Sequence, residues 1–417
     1  MLTITKFGGS SLADSGGFAR VCGILRADPA RRGAVVSAPG RRFAGDEKLT
    51  DLLYRCYSLR RDGRREVFSL IRERILSVSR TCAPALELDK ELDALEKELE
   101  SGISRDFLVS RGEYFSSRIL ASMLGWQWID SADWLRFAPD GTADTARSCH
   151  LLQGLVNGPF VTPGFYGTGP DGKIRTLSRG GSDVTGALAA AALNADLYEN
   201  WTDVPGLLRA DPALLPEAEP VRQLTYAELR EISLFGTQVL HEGAVRPVWE
   251  QDIPMQIRSV FDLTDPGTVI SSALPEPLSR PGLLCLSGRR EQALLSVTGA
   301  PPESLGALLR ESGTQPGILT GAWDRQTATI PENALHGLLD SLHALPGTLT
   351  VLPGMALLAA LFDRTPGNAE GQLLRALEAE SIPVPALLRP FGSRLLLLAV
   401  PDRDYPAAVR AICRAVP

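Results

Sequence analysis

The chain has 417 residues, more than one compact core usually supports, and its 44% hydrophobic and 22% charged residues are typical of a folded globular protein. With 43 Lys and Arg against 49 Asp and Glu, the net charge of −6 argues against a basic nucleic-acid groove. No secretory leader and no bilayer-length apolar run are visible, so we expect no membrane partner. Six widely spaced cysteines and four histidines without metal-ligand spacing predict a reduced, cytoplasmic protein with no metal site of its own.

Short apolar runs alternate with helical stretches from residue 2 to about 270, which predicts a largely parallel sheet covered on both faces. The clearest predicted strands are Leu2–Phe7, Gly33–Ser37, Gly158–Thr162, Leu197–Trp201 and Met255–Arg258. Glycine and proline pairs follow several of these runs. Because loops at the carboxyl ends of parallel strands line the ligand crevice of open α/β sheets, these pairs are candidates for a binding site.

A charged helical stretch precedes residue 105. Its leucines at 88, 92, 95 and 99 form one apolar stripe, and Gly102 provides a stop. The stripe predicts a surface helix packed on the domain or, alternatively, a coiled-coil partner helix.

The last third of the chain has a different character. The Pro- and Ser-rich residues 273–289 are typical of a linker, and two βαββα patterns follow, offset by about 64 residues, as in ferredoxin-like α+β modules. We therefore predict a catalytic body over 1–272, a linker over 273–289 and a regulatory tail over 290–417.

Two glycine pairs carry the strongest chemical signals. In KFGGSSLAD, Lys6 stands beside Gly8 and Gly9 at the end of a strand, an arrangement suited to holding an anion, although two glycines alone often mark only a tight turn. In SRGGSD, Asp183 either caps a helix or belongs to a charged site with Arg179.

Two further segments are weaker candidates. Glu113, in SRGEYFSS, follows a glycine, and a lone glutamate on a helix is most often a solvated face residue. The loop that opens with Thr202 and Asp203, in ENWTDVPG, either grips a nucleotide or simply joins two elements.

Taken in order, the motifs KFGGSS, VVSAPG, LVSRGEYFSS, SRGGSDVTGALAAAAL, WTDVPG and FGTQVLHEGAVRPV resemble those of aspartate kinases of the amino-acid kinase superfamily. The resemblance covers roughly residues 3–270, and the region 290–417 looks like the paired ACT modules of these enzymes. It implies an α/β fold, a three-layer parallel-rich sheet sandwich, followed by two ferredoxin-like ACT modules. It also implies transfer of the γ-phosphoryl group of ATP to the side-chain carboxylate of L-aspartate, the first step of lysine, threonine and methionine biosynthesis, with Mg²⁺ carried mainly on the ATP phosphates.

The resemblance also implies residue roles. Lys6 and Asp183 are the expected catalytic pair, in which Asp183 holds the lysine in place. The expected aspartate-side residues are Ser37, Thr50, Glu113 for the ammonium, Arg179 for the α-carboxylate, and Ser182. The expected nucleotide-side residues are Lys6, Gly8, Gly9, Ser10, Thr202 and Asp203, with Arg209 as a substitute cation.

Three positions depart from the family pattern on the nucleotide side. Leu208 replaces an aromatic residue, Ala213 an arginine and Gln238 a lysine. These losses keep two alternatives open: a catalytically weakened amino-acid sensor, and a superfamily kinase acting on another acid. The resemblance further implies a homo-oligomer and an amino-acid effector such as lysine or threonine at the ACT modules, for which the sequence supports no residue assignment.

Overall fold

The computed structural model describes residues 1–178, 180–233, 242–274, 282–322, 324–363, 367–389 and 393–416, and the chain divides into two compact units. The first unit comprises 1–207, 222–226 and 239–274, and the second comprises 208–221, 227–238 and 275–417. Among the described residues, none of the helices is both long enough and apolar enough to cross a membrane.

The first unit is built on one large, mostly parallel sheet. The strands up to residue 271 are β1 (Thr3–Phe7), β2 (Arg31–Val36), β3 (Gln127–Trp128), β4 (Phe160–Pro163), β5 (Tyr166–Thr168), β6 (Ile174–Thr176), β7 (Leu197–Thr202), β8 (Gln223–Thr225), β9 (Met255–Ser259) and β10 (Thr268–Ser271). Eight of them form a sheet in the order β3-β4-β2-β1-β7-β9-β10-β8, in which only the β9–β10 pair is antiparallel, while β5 and β6 make a separate hairpin. The predicted parallel-rich α/β class is confirmed.

Helices pack on both faces of this sheet. In chain order, the helices up to residue 249 are α1 (Ser15–Ala27), α2 (Leu49–Ser58), α3 (Arg61–Cys82), α4 (Leu88–Ser101), α5 (Arg105–Leu124), α6 (Ser131–Trp134), α7 (Thr145–Leu155), α8 (Gly181–Ala192), α9 (Tyr226–Ser233) and α10 (Glu242–Trp249). Residues 227–233 of α9 belong to the second unit. Phe7, Val36 and Trp201 point from the sheet into a core shared with α1 to α5. Helix α8 lies on the opposite face, where its run of small buried residues allows close contact with the strands.

Helix α4 confirms the surface-helix interpretation of the leucine stripe. Leu88, Leu92, Leu95 and Leu99 are all buried in the core cluster that contains α3, while the opposite face of the helix is exposed. The helix ends at Gly102, whose φ of 96° lies in a region that favours glycine.

The second unit contains one six-stranded sheet. Its strands and helices are β11 (Leu283–Thr298), α11 (Ser304–Glu311), β12 (Ile318–Ala322), β13 (Arg325–Pro331), α12 (Glu332–His343), β14 (Thr348–Phe362), α13 (Gly367–Ala379), β15 (Ala386–Leu388), β16 (Leu395–Pro401) and α14 (Tyr405–Ala415). The order is β12-β13-β11-β14-β16-β15, and every pairing is antiparallel. The two predicted βαββα patterns are therefore both present, joined through the long strands β11 and β14.

Two boundaries differ from the sequence expectation. Strand β11 begins at Leu283, inside the segment 273–289 predicted as a linker, because Leu283 and Leu286 are buried apolar residues that join the core of the second module. The segment 208–221 also belongs to the second unit, since Ala210 and Leu215 pack into the same cluster.

We predict that Leu92→Ala lowers the free energy of unfolding by about 2–5 kcal/mol, because it opens a cavity in a fully buried stripe. Urea denaturation followed by circular dichroism measures the change. Lys97→Ala, on the exposed face of the same helix, is the matched control and should change stability by less than about 0.5 kcal/mol. Equal effects of the two substitutions would contradict the packing assigned to α4.

Candidate active site

The candidate site lies at the carboxyl ends of β1 and β7, which are parallel neighbours. Their register places Lys6 beside Asn200 and Phe7 beside Trp201. The chain then leaves the sheet at Gly8, whose N–H donates to the carbonyl oxygen of Trp201 at 3.1 Å, and it enters a 3₁₀ turn, Gly9–Leu12. Strand pairing therefore fixes the position of the lysine and of the glycine pair that follows it.

An ion pair and an amide occupy this position. The Lys6 ammonium lies 2.6 Å from Oδ1 of Asp183, in the first turn of α8, and the two side chains are only 10% and 17% exposed. Asn200 donates from Nδ2 to the same Oδ1 at 2.9 Å and accepts from Lys6 Nζ at 3.4 Å. Because the amide contacts both charged partners, it holds the lysine and the carboxylate in one arrangement without adding net charge.

Asp183 is not the helix cap that its position in the sequence also allowed. The cap of α8 is Gly180, with φ of 77°, and Asp183 lies inside the first turn. Its side chain therefore serves the contact with Lys6, and the predicted pair is brought together. Asn200 was missed by the sequence analysis, and the parallel pairing of β1 with β7 is the signal that would have found it.

The glycine loop after β1 is packed backbone against backbone. A Cβ on Gly9 would lie 2.7 Å from the carbonyl oxygen of Ala38, and a Cβ on Gly40 would lie 2.5 Å from the carbonyl carbon of Gly9. Gly40 N–H donates to Gly9 O at 2.7 Å, and Ser37 N–H donates to Phe7 O at 3.1 Å. The predicted residues Gly8, Gly9 and Ser10 thus lie next to the chain that follows β2, where Ser37 is found.

Glu113, on α5, has its carboxyl group buried in the protein, with 4% of the residue exposed. The backbone N–H of Ala38 donates to this carboxyl group, and desolvation raises its pKa to about 8. Among the described residues, its Oε2 atom has no hydrogen-bond partner. A buried carboxyl with one free oxygen is suited to receive a cationic group, so the solvated-residue reading is wrong.

The chain after β4 brings a fourth strand end to the site, beside those of β1, β2 and β7. A Cβ on Gly164 would lie 2.6 Å from Oγ of Ser182, and Gly164 N–H donates to Val36 O at 2.9 Å. The next residue, Phe165, has a positive φ of 75°, and its N–H donates to Thr185 Oγ1 at 3.1 Å. A strained non-glycine backbone beside Ser182 is typical of a functional site.

The other predicted site residues have no described contact with Lys6, Asp183 or Glu113. Thr50 is half-buried in the first turn of α2, and Thr202 donates its hydroxyl to the exposed Asp203 at 3.1 Å. Arg209 falls in the second unit, where its Nε donates to the carbonyl oxygen of Leu283 at 2.8 Å, so its observed contact is not with a phosphate loop.

Two of the residues discussed from the sequence, Arg179 and Gln238, lie outside the described residues. Leu208 and Ala213 both fall in the second unit. Within the part of the chain that the structure describes, no group of three or more His, Cys, Asp or Glu could hold a metal ion.

Comparison with protein families gives a match to the amino acid kinase family over residues 1–259. Aspartokinase 3 of Bacillus subtilis is 32% identical over 65% of this chain, and the alignment spans 64% of the length of that relative. The lysine-sensitive aspartokinase 3 of Escherichia coli is 30% identical over 71% of this chain and 69% of its own length.

Solved structures extend the similarity to both units. The aspartate kinase of Clostridium acetobutylicum has a TM-score of 0.85 at 32% identity and covers 99% of each chain. Aspartokinase III of Escherichia coli, solved in complex with aspartate and ADP, has a TM-score of 0.79 at 26% identity, covering 100% of this chain and 99% of that one.

We predict that Glu113 makes the ligand-free protein less stable as the pH rises from about 4.5 to about 8. In this interval the folded protein keeps a proton on Glu113 that the unfolded chain has lost, so unfolding is favoured by up to about 1.4 kcal/mol per pH unit. Above pH 8 both states are ionised, and this contribution to the slope ends.

Glu113→Gln removes the titrating group, so the stability of wild type relative to the variant should fall between pH 5 and pH 8. Urea unfolding at three pH values measures this difference in the free energy of unfolding. Glu66→Gln, at an exposed position of α3, is the control and should follow the pH profile of wild type. Parallel pH profiles for wild type and Glu113→Gln would show that the carboxyl is ionised in the folded protein.

Proposed function

Because this chain belongs to the amino acid kinase family and, within it, to the aspartokinases, we propose that it transfers the γ-phosphoryl group of ATP to the side-chain carboxylate of L-aspartate, giving 4-phospho-L-aspartate. The observation that carries the proposal is the Lys6–Asp183 contact of 2.6 Å beside the Gly8-Gly9 loop. That arrangement places a fixed positive charge next to backbone that a phosphate can approach closely.

The chemistry needs positioning and charge rather than a base. The side-chain carboxylate of aspartate is ionised at pH 7 and is already a nucleophile. The obstacle is repulsion between this anion and the phosphates, which Lys6 offsets at the transferring group. Asp183 accepts from both Lys6 and Asn200 and thereby holds the ammonium in place; in this mechanism it abstracts no proton.

The nucleotide fits the loop after β1. A Cβ on Gly9 would collide with the carbonyl oxygen of Ala38, so this position of the loop requires glycine. We assign the main chain of Gly8, Gly9 and Ser10 to a phosphate, because a glycine loop between a strand and a helical turn is suited to an anion. Thr202 and Asp203 begin the segment that we assign to the nucleotide, and Mg²⁺, held mainly by the ATP phosphates, supplies further neutralising charge when bound. The assignment of Arg209 to this side receives no support from its contact with Leu283.

The amino acid is assigned to the opposite part of the crevice. Glu113 receives the ammonium group on its free oxygen, Ser182 and Ser37 face the substrate, and Thr50 contributes from α2. We retain Arg179 as the partner of the α-carboxylate on the basis of the sequence motif alone.

The regulatory assignments rest on the second unit and on the relatives. We propose a catalytic domain over 1–272 and a regulatory pair of modules that begins at Leu283. An amino-acid effector, lysine or threonine, is part of the same proposal, and the match to a lysine-sensitive aspartokinase supports lysine. A homo-oligomer is proposed from the resemblance of the sequence to the family alone. All six cysteines are free thiols, which supports a cytoplasmic location.

We predict that Lys6→Ala lowers turnover by a factor of about 10²–10³, because it removes a preorganised charge from the transferring group. Formation of aspartyl hydroxamate from ATP, Mg²⁺, aspartate and hydroxylamine measures turnover. Lys173→Ala, at an exposed position in the same unit, is the control and should be as active as wild type. A wild-type protein that forms no hydroxamate, or that prefers glutamate, would refute the proposed reaction.

We also predict that aspartate binding releases protons at pH 7. Glu113 is mostly protonated in the free protein, with a pKa of about 8, and must ionise to pair with the ammonium group. Titration calorimetry in buffers of different ionisation enthalpy counts the protons, and a value approaching one is expected.

Glu113→Gln should abolish this proton release and weaken aspartate binding, with little effect on ATP binding. The Glu66→Gln control should release as many protons as wild type. If Glu113→Gln weakens only ATP binding, the assignment of the two sides of the crevice is reversed.

A further inference from the structure

The loop 38–48, between β2 and α2, contacts both sides of the crevice. On one side Gly40 N–H donates to Gly9 O at 2.7 Å. On the other, the N–H of Ala38 donates to the carboxyl group of Glu113, and Leu49 N–H, at the start of the helix that carries Thr50, donates to Pro39 O at 3.1 Å. The position of this one loop therefore affects the phosphate-side backbone and the residues assigned to the amino acid.

Arg74, on α3, binds this loop through hydrogen bonds and an ion pair. It is 4% exposed, and its guanidinium donates to the carbonyl oxygens of Gly40 and Glu47, near the two ends of the loop. It also lies 3.2 Å from Oδ2 of Asp46. The same carboxylate accepts from the backbone N–H of Arg42 at 2.9 Å and from its guanidinium at 2.9 and 3.0 Å.

These contacts require an arginine. The planar guanidinium presents five donors in a fixed fork, so one side chain can reach two carbonyl oxygens and a carboxylate that lie in different directions. A lysine ammonium is a compact charge and cannot span them. Burying a cation with a single carboxylate partner is costly, and the Nε atom of Arg74 has no partner among the described residues. Core packing alone would be served better by an apolar residue.

We propose that Arg74 is a positioning residue that holds loop 38–48 in the conformation able to bind both substrates. It acts through backbone carbonyl groups and touches neither substrate. The inference rests on the proposed kinase function, because it assigns the two ends of the loop to ATP and to aspartate.

The kinetic signature is a shared increase in both KM values. If Arg74 is replaced, the competent loop conformation is populated only in part, and the apparent affinity for each substrate falls by that same fraction. We expect Arg74→Lys to raise KM for ATP and for aspartate by a similar factor of about tenfold. At saturation kcat should stay within about threefold of wild type, because bound substrates restore the loop.

A matched control lies on the same helix. Arg80→Lys changes an exposed arginine that pairs with Asp89, and it should leave both KM values unchanged. Asp46→Asn keeps the side-chain shape but removes the carboxylate that pairs with Arg74 and with Arg42 inside the loop, so it should raise both KM values in the same way. This second variant keeps the inference testable if Arg74→Lys does not fold.

Limited digestion with trypsin provides a readout that does not depend on activity. Arg41 and Arg42 are exposed within the loop, so its release should speed cleavage there in Arg74→Lys and in Asp46→Asn, but not in Arg80→Lys. If wild type forms no hydroxamate, the proposed function fails, but the cleavage rates still test whether Arg74 holds loop 38–48 in place. KM values within twofold of wild type, together with wild-type cleavage rates, would overturn the inference.

Discussion

The contact between Lys6 and Asp183 is the interaction on which the site depends, and it joins residues far apart in the chain. Parallel pairing of β1 with β7 sets the lysine beside Asn200, and close packing of α8 on the sheet brings the carboxylate to both. The small residues of α8 are part of this arrangement: at Gly186, a Cβ would lie 2.5 Å from the hydroxyl of Tyr198. The close packing of α8 on the sheet therefore also determines the position of the Asp183 carboxylate.

A second electrostatic feature complements this pair. The Lys6–Asp183 pair is formed within the protein itself, whereas Glu113 has a buried oxygen that is left without a partner among the described residues. Desolvation keeps that carboxyl protonated at neutral pH until a cation arrives. The crevice thus contains one ion pair whose charges compensate each other and one carboxyl group that stays neutral without a cationic partner.

The sequence predicted the strands, the glycine loops and the pairing of Lys6 with Asp183, because each depends on local pattern or on motif order. The sequence could not decide whether Asp183 caps α8 or belongs to a charged site, because the answer depends on the residue at which α8 begins. The helix begins at Gly181, after the cap residue Gly180. Asn200 was missed because its role comes from strand register across 194 residues of chain. The start of β11 at Leu283 was missed because the apolar residues that extend it follow a Pro- and Ser-rich stretch.

The regulatory sheet has one feature with a mechanical consequence. Strands β11 and β14 each run through both α+β modules. Their register shifts at Leu283/Cys285, at Arg289/Gln292 and at Gln292/Leu294, and Glu291 has a positive φ of 56°. Neither module can turn on its own without distorting hydrogen bonds in strands that the other module shares. A displacement at one end of the sheet therefore acts on the other end through two continuous backbones, whose pairing is interrupted between Arg289 and Leu294.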